Sequence, residues 1–324
     1  MCRAVSHSRS FIPLYSEKRR TLGQPTTPAI EVIGVPLDLG AGLRGVDVGP
    51  SAMRHAGLLP RLRLLGYAAT DAGNLPAPVS ESADEGDTSA RFALAVGEVC
   101  RALRLSVAST LRRGAVPLIL GGDHSLSAGS LAGVLDARAQ TRLLWLDAHG
   151  DLNTPGTTPS GNVHGMPLAV ALGQAPELFP GLDWDHRRIA PEQVVLVGVR
   201  SLDSGERELI RHLGLRVFTI SDVDRLGIYE VMQRALSYLK PAPGQLHLSL
   251  DLDVVDPSAA PGVGTPVAGG ITVREAHLAL ELIAQSGTLG SLEAVEVNAI
   301  RDHENQTGRL ASDLILSAFG QTIL

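Results

Sequence analysis

The sequence predicts an α/β fold, a parallel sheet covered by helices on both faces, on three observations. From residue 30 onward, short runs rich in Val, Ile and Leu alternate with longer segments of helical period. Those runs are apolar throughout, the pattern of strands buried on both faces and not on one alone. Acids and histidines follow the carboxyl ends of five of them, where ligands bind in open parallel sheets, while the opposite ends carry almost none.

In chain order, IEVIGV (30–35) is the first strand, and a helix is expected over 50–64. YAATDA (67–72) follows, then SESADEGDTSA (80–90), whose low hydrophobicity marks an exposed loop before a helix over 88–113. VPLILG (116–121) leads to a helix over 125–139, and RLLWLD (142–147) to one over 163–173. VVLVGV (194–199), LRVFTI (215–220), LHLSLDLD (246–253) and LEAVEV (292–297) complete the strands. Helices over 204–213, 228–239, 273–286 and 306–319 lie between and after them, and no internal repeat breaks the order.

A chain of 324 residues and 34.0 kDa can make either two ordinary domains or one large α/β domain. Aromatic residues are scarce at 3%, so the core must be built from Leu, Val, Ile and Ala. No apolar run approaches the roughly 20 residues needed to cross a bilayer, so no membrane partner is expected. Residues 1–28 are polar and include Arg3, Arg9, Lys18, Arg19 and Arg20 without an apolar core, and are expected to be a disordered extension ahead of a catalytic body over 29–324. Cytoplasmic residence is the default. Cys2 and Cys100 make neither a disulfide framework nor a thiolate metal site. A net charge of −6 with scattered basic residues argues against a nucleic-acid partner and suits a cationic substrate.

The polar runs after the strands are GGDHS, DAHGDLNTP, GVRSLDSGE, DLDVVDP and VEVNA. If the fourth strand runs on past Asp147, its two-residue period puts Asp147, His149 and Asp151 on one side of the backbone, where they repel unless something positive lies between them. With His124, Asp251 and Asp253 the set holds two imidazoles and four carboxylates. Two divalent ions balance four carboxylates and can hold a hydroxide between them; one ion leaves too much negative charge. One imidazole per ion with the rest oxygen suits Mn²⁺, then Fe²⁺, Co²⁺ or Ni²⁺, with Zn²⁺ less well matched. Singly, each Asp reads as a helix cap or turn former and each His as a satisfied core or surface residue. Three such runs after three apolar strands argue for a site. Asp123 points to the other side of an extended chain and is expected to support a ligand. His7, His55, His186, His212, His247, His277 and His303 lack such settings.

GGDHS (121–125), DAHGDLNTPGTTPSGNVHGMP (147–167), SLDLDVVDPSAAPGVGTPVAGGIT (249–272) and VEVN (295–298) resemble the signature blocks of the ureohydrolase family, and within it of the arginases. GVPLDLGAGLRGVDVGPSAMRHAGL (34–58) and the ending LILSAFGQTIL are similar too, so the resemblance runs from about residue 30 onward. It implies a single three-layer α/β/α domain with an eight-stranded parallel sheet, in agreement with the eight strands expected. It also implies two manganese ions: one held by His124, Asp147, Asp151 and Asp251, the second by Asp147, His149, Asp251 and Asp253. His164 matches the proton-shuttle histidine, and Glu296 the acid that pairs with the guanidinium, supported by Thr265. Asn153, Ser160 and Asn162, with Thr158 through water, match contacts to the substrate α-carboxylate, and Asp203 and Glu206 acids near the α-amino group. The implied reaction is hydrolysis of L-arginine to L-ornithine and urea, with Asp151 also counted among the catalytic residues. Assembly is expected as a homo-oligomer, trimer or hexamer, the ending resembling bacterial hexameric members.

The chain departs from the family pattern at Gly150, where a larger polar residue is common, at Ser201, where an acid is common, and at Ala299 with the RDHEN that follows. Three rivals remain to be discriminated. A sister ureohydrolase acting on agmatine would turn over that substrate and not arginine. The deacetylase branch of the fold would bind one zinc ion, and an inactive relative would lack ligands that are all present here.

Overall fold

The computed structural model describes residues 27–184 and 187–323. Its strands are β1 (Ile30–Val35), β2 (Ala69–Asn74), β3 (Val116–Gly121), β4 (Thr141–Leu146), β5 (Val194–Val199), β6 (Arg216–Thr219), β7 (Gln245–Asp251) and β8 (Leu289–Val295). They form the expected eight-stranded sheet in the order β2-β1-β3-β8-β7-β4-β5-β6, with every pairing parallel. The helices are α1 (Gly49–His55), α2 (Leu58–Leu64), α3 (Ala93–Arg112), α4 (Ser127–Ala137), α5 (Pro167–Ala171), α6 (Ser204–Leu213), α7 (Ile220–Leu226), α8 (Ile228–Leu239), α9 (Val273–Ser286) and α10 (Gln306–Ala318).

Strand alternation divides the core into two apolar layers. Leu144 and Leu146 of β4 join Met53, Leu62, Met232, Leu280 and Leu314 on one side of the sheet. Leu143 and Trp145 join Leu103, Leu131 and Leu168 on the other. No helix among the described residues is long and apolar enough to cross a membrane. The expected extension lies outside the described residues except for its last two, 27 and 28.

The differences from expectation have local causes. The helix expected over 50–64 breaks into α1 and α2 at Gly57, whose φ of 78° is left-handed. The one expected over 163–173 shortens to α5, preceded by a 3-10 turn at Val163–Gly165. A further helix, α7, is added after β6, where the Asp222 carboxylate accepts from the Thr219 N–H at 2.8 Å and Gly227 ends the run.

β3, β8, β7 and β4 are consecutive neighbours at the centre of the sheet. Their carboxyl ends therefore bring together residues as far apart in sequence as His124 and Glu296, where the His124 N–H donates to Glu296 Oε1 at 2.9 Å.

Candidate metal centre

The ligand residues converge, but not by extension of a strand. β4 stops at Leu146, so the alternation expected over 147–151 is corrected: the chain turns there, and Asp151 sits at a left-handed φ of 52°. The turn is held by the Asp147 N–H donating to the Val197 carbonyl at 3.1 Å and the His149 N–H donating to Asp147 Oδ1 at 2.6 Å. From β7, Asp251 Oδ1 accepts the Asp253 N–H at 2.8 Å, and Asp253 Oδ1 accepts the Ala148 N–H at 3.1 Å, tying the two acid-bearing turns together.

Two groups of ligand atoms result, His124 with Asp147 and Asp251, and Asp147 with His149 and Asp253, each with its atoms within 4.8 Å of one another. Asp147 belongs to both. His124 Nδ1 lies 2.9 Å from Asp151 Oδ2, 3.1 Å from Asp147 Oδ2 and 3.1 Å from Asp251 Oδ2. Yet neither His124 Nδ1 nor Asp151 Oδ2 makes a hydrogen bond, although both are buried. An orphaned buried polar atom costs about 1–3 kcal/mol, so donor atoms that converge without bonding one another fit a cation between them. The charges press the same way. Burial opposes a cationic His149, but Asp147 and Asp253 push its imidazole up to about 12. Burial works to raise the Asp147 carboxyl, but the imidazoles of His124 and His149 hold it well below the usual carboxylate range. Mn²⁺ and similar divalent ions match this oxygen-rich donor set with one imidazole in each group.

Three supporting residues escaped sequence reasoning. The Trp145 Nε1–H donates to Asp147 Oδ2 at 3.0 Å, and its ring stacks on His124 with centroids 4.3 Å apart. Ser249, the register partner of Trp145 on β7, meets His124 Nε2 at 2.8 Å. Arg200, within the noted GVRSLDSGE run, donates to the carbonyls of Asp253, Val254 and Val267. Asp123 lies one step further out: it caps the turn that carries His124 and accepts the Gly40 N–H at 2.8 Å. Because such partners fix ligand orientation, Trp145→Phe is expected to weaken metal affinity by about 10–100-fold. Metal titration of the folded variant checks this, and an unchanged affinity contradicts it.

Above the ligands lies a cavity of about 110 Å³ lined by His124, His149, Asp151, Asn153, Thr158, Ser160, Asn162, His164, Asp203, Glu206, Asp251 and Thr265, among others. Glu296, at a left-handed φ of 63°, uses Oε1 for the His124 N–H and for His164 Nδ1 at 3.0 Å. Its Oε2 is buried and makes no hydrogen bond. Burial opposes the His164 cation, but Glu296 raises the imidazole to about 9. Asn153 Nδ2 donates to Asp203 Oδ2 at 2.8 Å. Asp203 caps α6 in a box with Glu206, whose Oε2 accepts the Asp203 N–H at 2.8 Å and whose Oε1 accepts the Leu152 N–H at 3.1 Å. Burial lifts the Glu206 carboxyl to about 7. Gly150 has a packing reason: a Cβ there would meet Leu202 Cδ2 at 2.7 Å and Glu206 Oε1 at 2.9 Å. The Thr265 hydroxyl donates to Asp253 Oδ2 at 3.2 Å, and its neighbour Gly264 faces Glu296, where an added Cβ would lie 2.5 Å from Oε2.

A larger hollow of about 330 Å³, lined by residues of α8 and α9 and the start of β7, contains no carboxylate or imidazole. Its size does not make it the reactive site, since all the proposed chemistry lies at the other end of the strands.

The profile of the arginase family matches residues 28–320. An arginase of Bacillus caldovelox is 49% identical over 296 residues, 91% of this chain and 99% of that protein. An arginase of Bacillus subtilis (strain 168) is 46% identical over 295 residues, again 91% of this chain and 99% of that protein. The solved structure of the Bacillus caldovelox arginase superposes with a TM-score of 0.89 at 48% identity, covering 92% of this chain and all of that one.

Proposed function

Because the chain belongs to the arginase family and is a hydrolase of that kind, we propose that it converts L-arginine and water to L-ornithine and urea with the following division of labour. His124, Asp147, His149, Asp151, Asp251 and Asp253 would hold two divalent ions, with manganese the best match and Co²⁺, Ni²⁺ or Fe²⁺ as substitutes. When bound, the ions supply Lewis-acid chemistry that lowers the pKa of a water to about 7. The observation that carries this reading is the membership of Asp147 in both ligand groups.

Glu296, whose Oε2 is buried without a partner, is suited to receive the guanidinium N–H groups and fix its planar carbon over the ligand turns. His164, hydrogen-bonded to Glu296, would protonate the departing amine. Asn153, Ser160 and Asn162, with Thr158, would bind the α-carboxylate. Asp203, with Glu206 behind it, would face the α-amino group. A homo-oligomeric assembly, trimer or hexamer, belongs to the same reading and rests on the family resemblance, while cytoplasmic residence stays the default expectation.

Urea release from L-arginine and agmatine is to be measured in parallel after loading with Mn²⁺, Co²⁺, Ni²⁺ or Zn²⁺. The expected result is turnover of arginine with Mn²⁺ and agmatine at least ~100-fold slower, since polar groups built for a carboxylate are left unpaired by a substrate lacking one. Preference for agmatine would overturn the substrate assignment.

A further inference from the structure

The substrate loop is clamped from behind. Gly161 has a left-handed φ of 72°, and a Cβ there would sit 1.9 Å from the Thr88 carbonyl oxygen, so the segments before α3 and before α5 lie backbone against backbone. The Arg91 N–H donates to the Gly161 carbonyl at 2.9 Å, and Arg91 and Asn162 form an isolated parallel bridge. The Arg91 guanidinium also donates through Nη2 to Asn162 Oδ1, and Asn162 Nδ2 donates to the Ala41 carbonyl at 3.2 Å. Asn162 lines the cavity, whereas Arg91 does not.

An amide can present either its oxygen or its NH₂ to a ligand. Guanidinium is a donor only, and a carbonyl is an acceptor only. With Arg91 on Oδ1 and Ala41 on Nδ2, the amide's polarity is set at both ends. The uncommitted donor left to meet an anion is the second Nδ2 hydrogen. On the reading of the cavity as an arginine site, we propose that Arg91 is a positioning residue for the α-carboxylate end of the substrate. It holds Asn162 in the orientation that offers N–H, and braces the loop that carries Ser160 and Asn162. Glu85, 3.8 Å away and largely exposed, offsets little of the Arg91 charge.

Full-length wild type, Arg91→Met and Arg91→Lys are to be compared as Mn²⁺-loaded enzymes by steady-state kinetics with L-arginine, L-ornithine titration calorimetry and thermal melting. In Arg91→Met the expected result is a KM for L-arginine and a Kd for L-ornithine raised about tenfold, the effect of losing one charge-assisted hydrogen bond. Its kcat should stay within about twofold, since no reacting atom is touched. Arg91→Lys should recover part of the loss because an ammonium still donates to Oδ1. Unchanged KM and Kd in Arg91→Met would overturn the proposal. So would a parallel fall of kcat and melting temperature, which would make Arg91 a mere structural prop. A wild type that releases no urea from arginine would instead overturn the proposed function, and this assignment with it.

Discussion

Asp147→Asn is expected to lower kcat for urea release from L-arginine by more than ~10³-fold, a larger loss than that from removing a supporting partner. Asp147 Oδ1 accepts the His149 N–H and Oδ2 accepts the Trp145 Nε1–H. An amide in its place must turn its NH₂ toward one of those two donors, whichever way it is rotated. It also removes a negative charge from both ligand groups at once. Asp253→Asn touches one group only, and is expected to retain more metal than Asp147→Asn. Parallel assays of urea release check the pair, and activity of Asp147→Asn within tenfold of wild type would remove the shared-ligand mechanism.

The second large effect is on stability. Asp147, Asp151, Asp251 and Asp253 are all buried and crowded at adjoining strand ends, and a cation that binds them only in the folded chain adds stability by mass action. At a free-ion concentration 100 times Kd this amounts to about 2.7 kcal/mol per site. For a chain of 324 residues that corresponds to a rise in melting temperature of about 4 °C per site, or about 8 °C for two, on Mn²⁺ addition. Chelation should reverse it. A melting temperature indifferent to Mn²⁺ and chelator would mean that the carboxylates are satisfied by protons alone.

The inner strands were legible because they are apolar on both faces: β1, β3 and β5 begin and end where their Val, Ile and Leu runs do, whereas the edge strand β2, exposed beyond its first residue, begins two residues later than expected. The ligand acids were legible because three runs of acids and histidines follow three apolar strands; singly, each acid reads as a cap or turn former, as Asp123 and Asp203 are. What escaped depends on neighbours across the sheet. Trp145 reads as a core residue, and Ser249 as a polar residue in an apolar run; their pairing beside His124 follows from β4 lying against β7, which no single segment encodes. Arg200 was hidden likewise, since the carbonyls it gathers come from a loop more than fifty residues away. Thr265 was expected to support Glu296 from the family pattern; the bond its hydroxyl makes to Asp253 could be read only from the folded chain. Asp147 to Asp151 reached one centre, but through a turn and a left-handed Asp151 in place of strand alternation.

The central claim is that two ions share Asp147, and counting them is its most direct test. Elemental analysis of the wild-type chain, saturated with Mn²⁺ and freed of unbound metal, is expected to give two ions per chain; a saturated count near one, with full activity, would contradict the account.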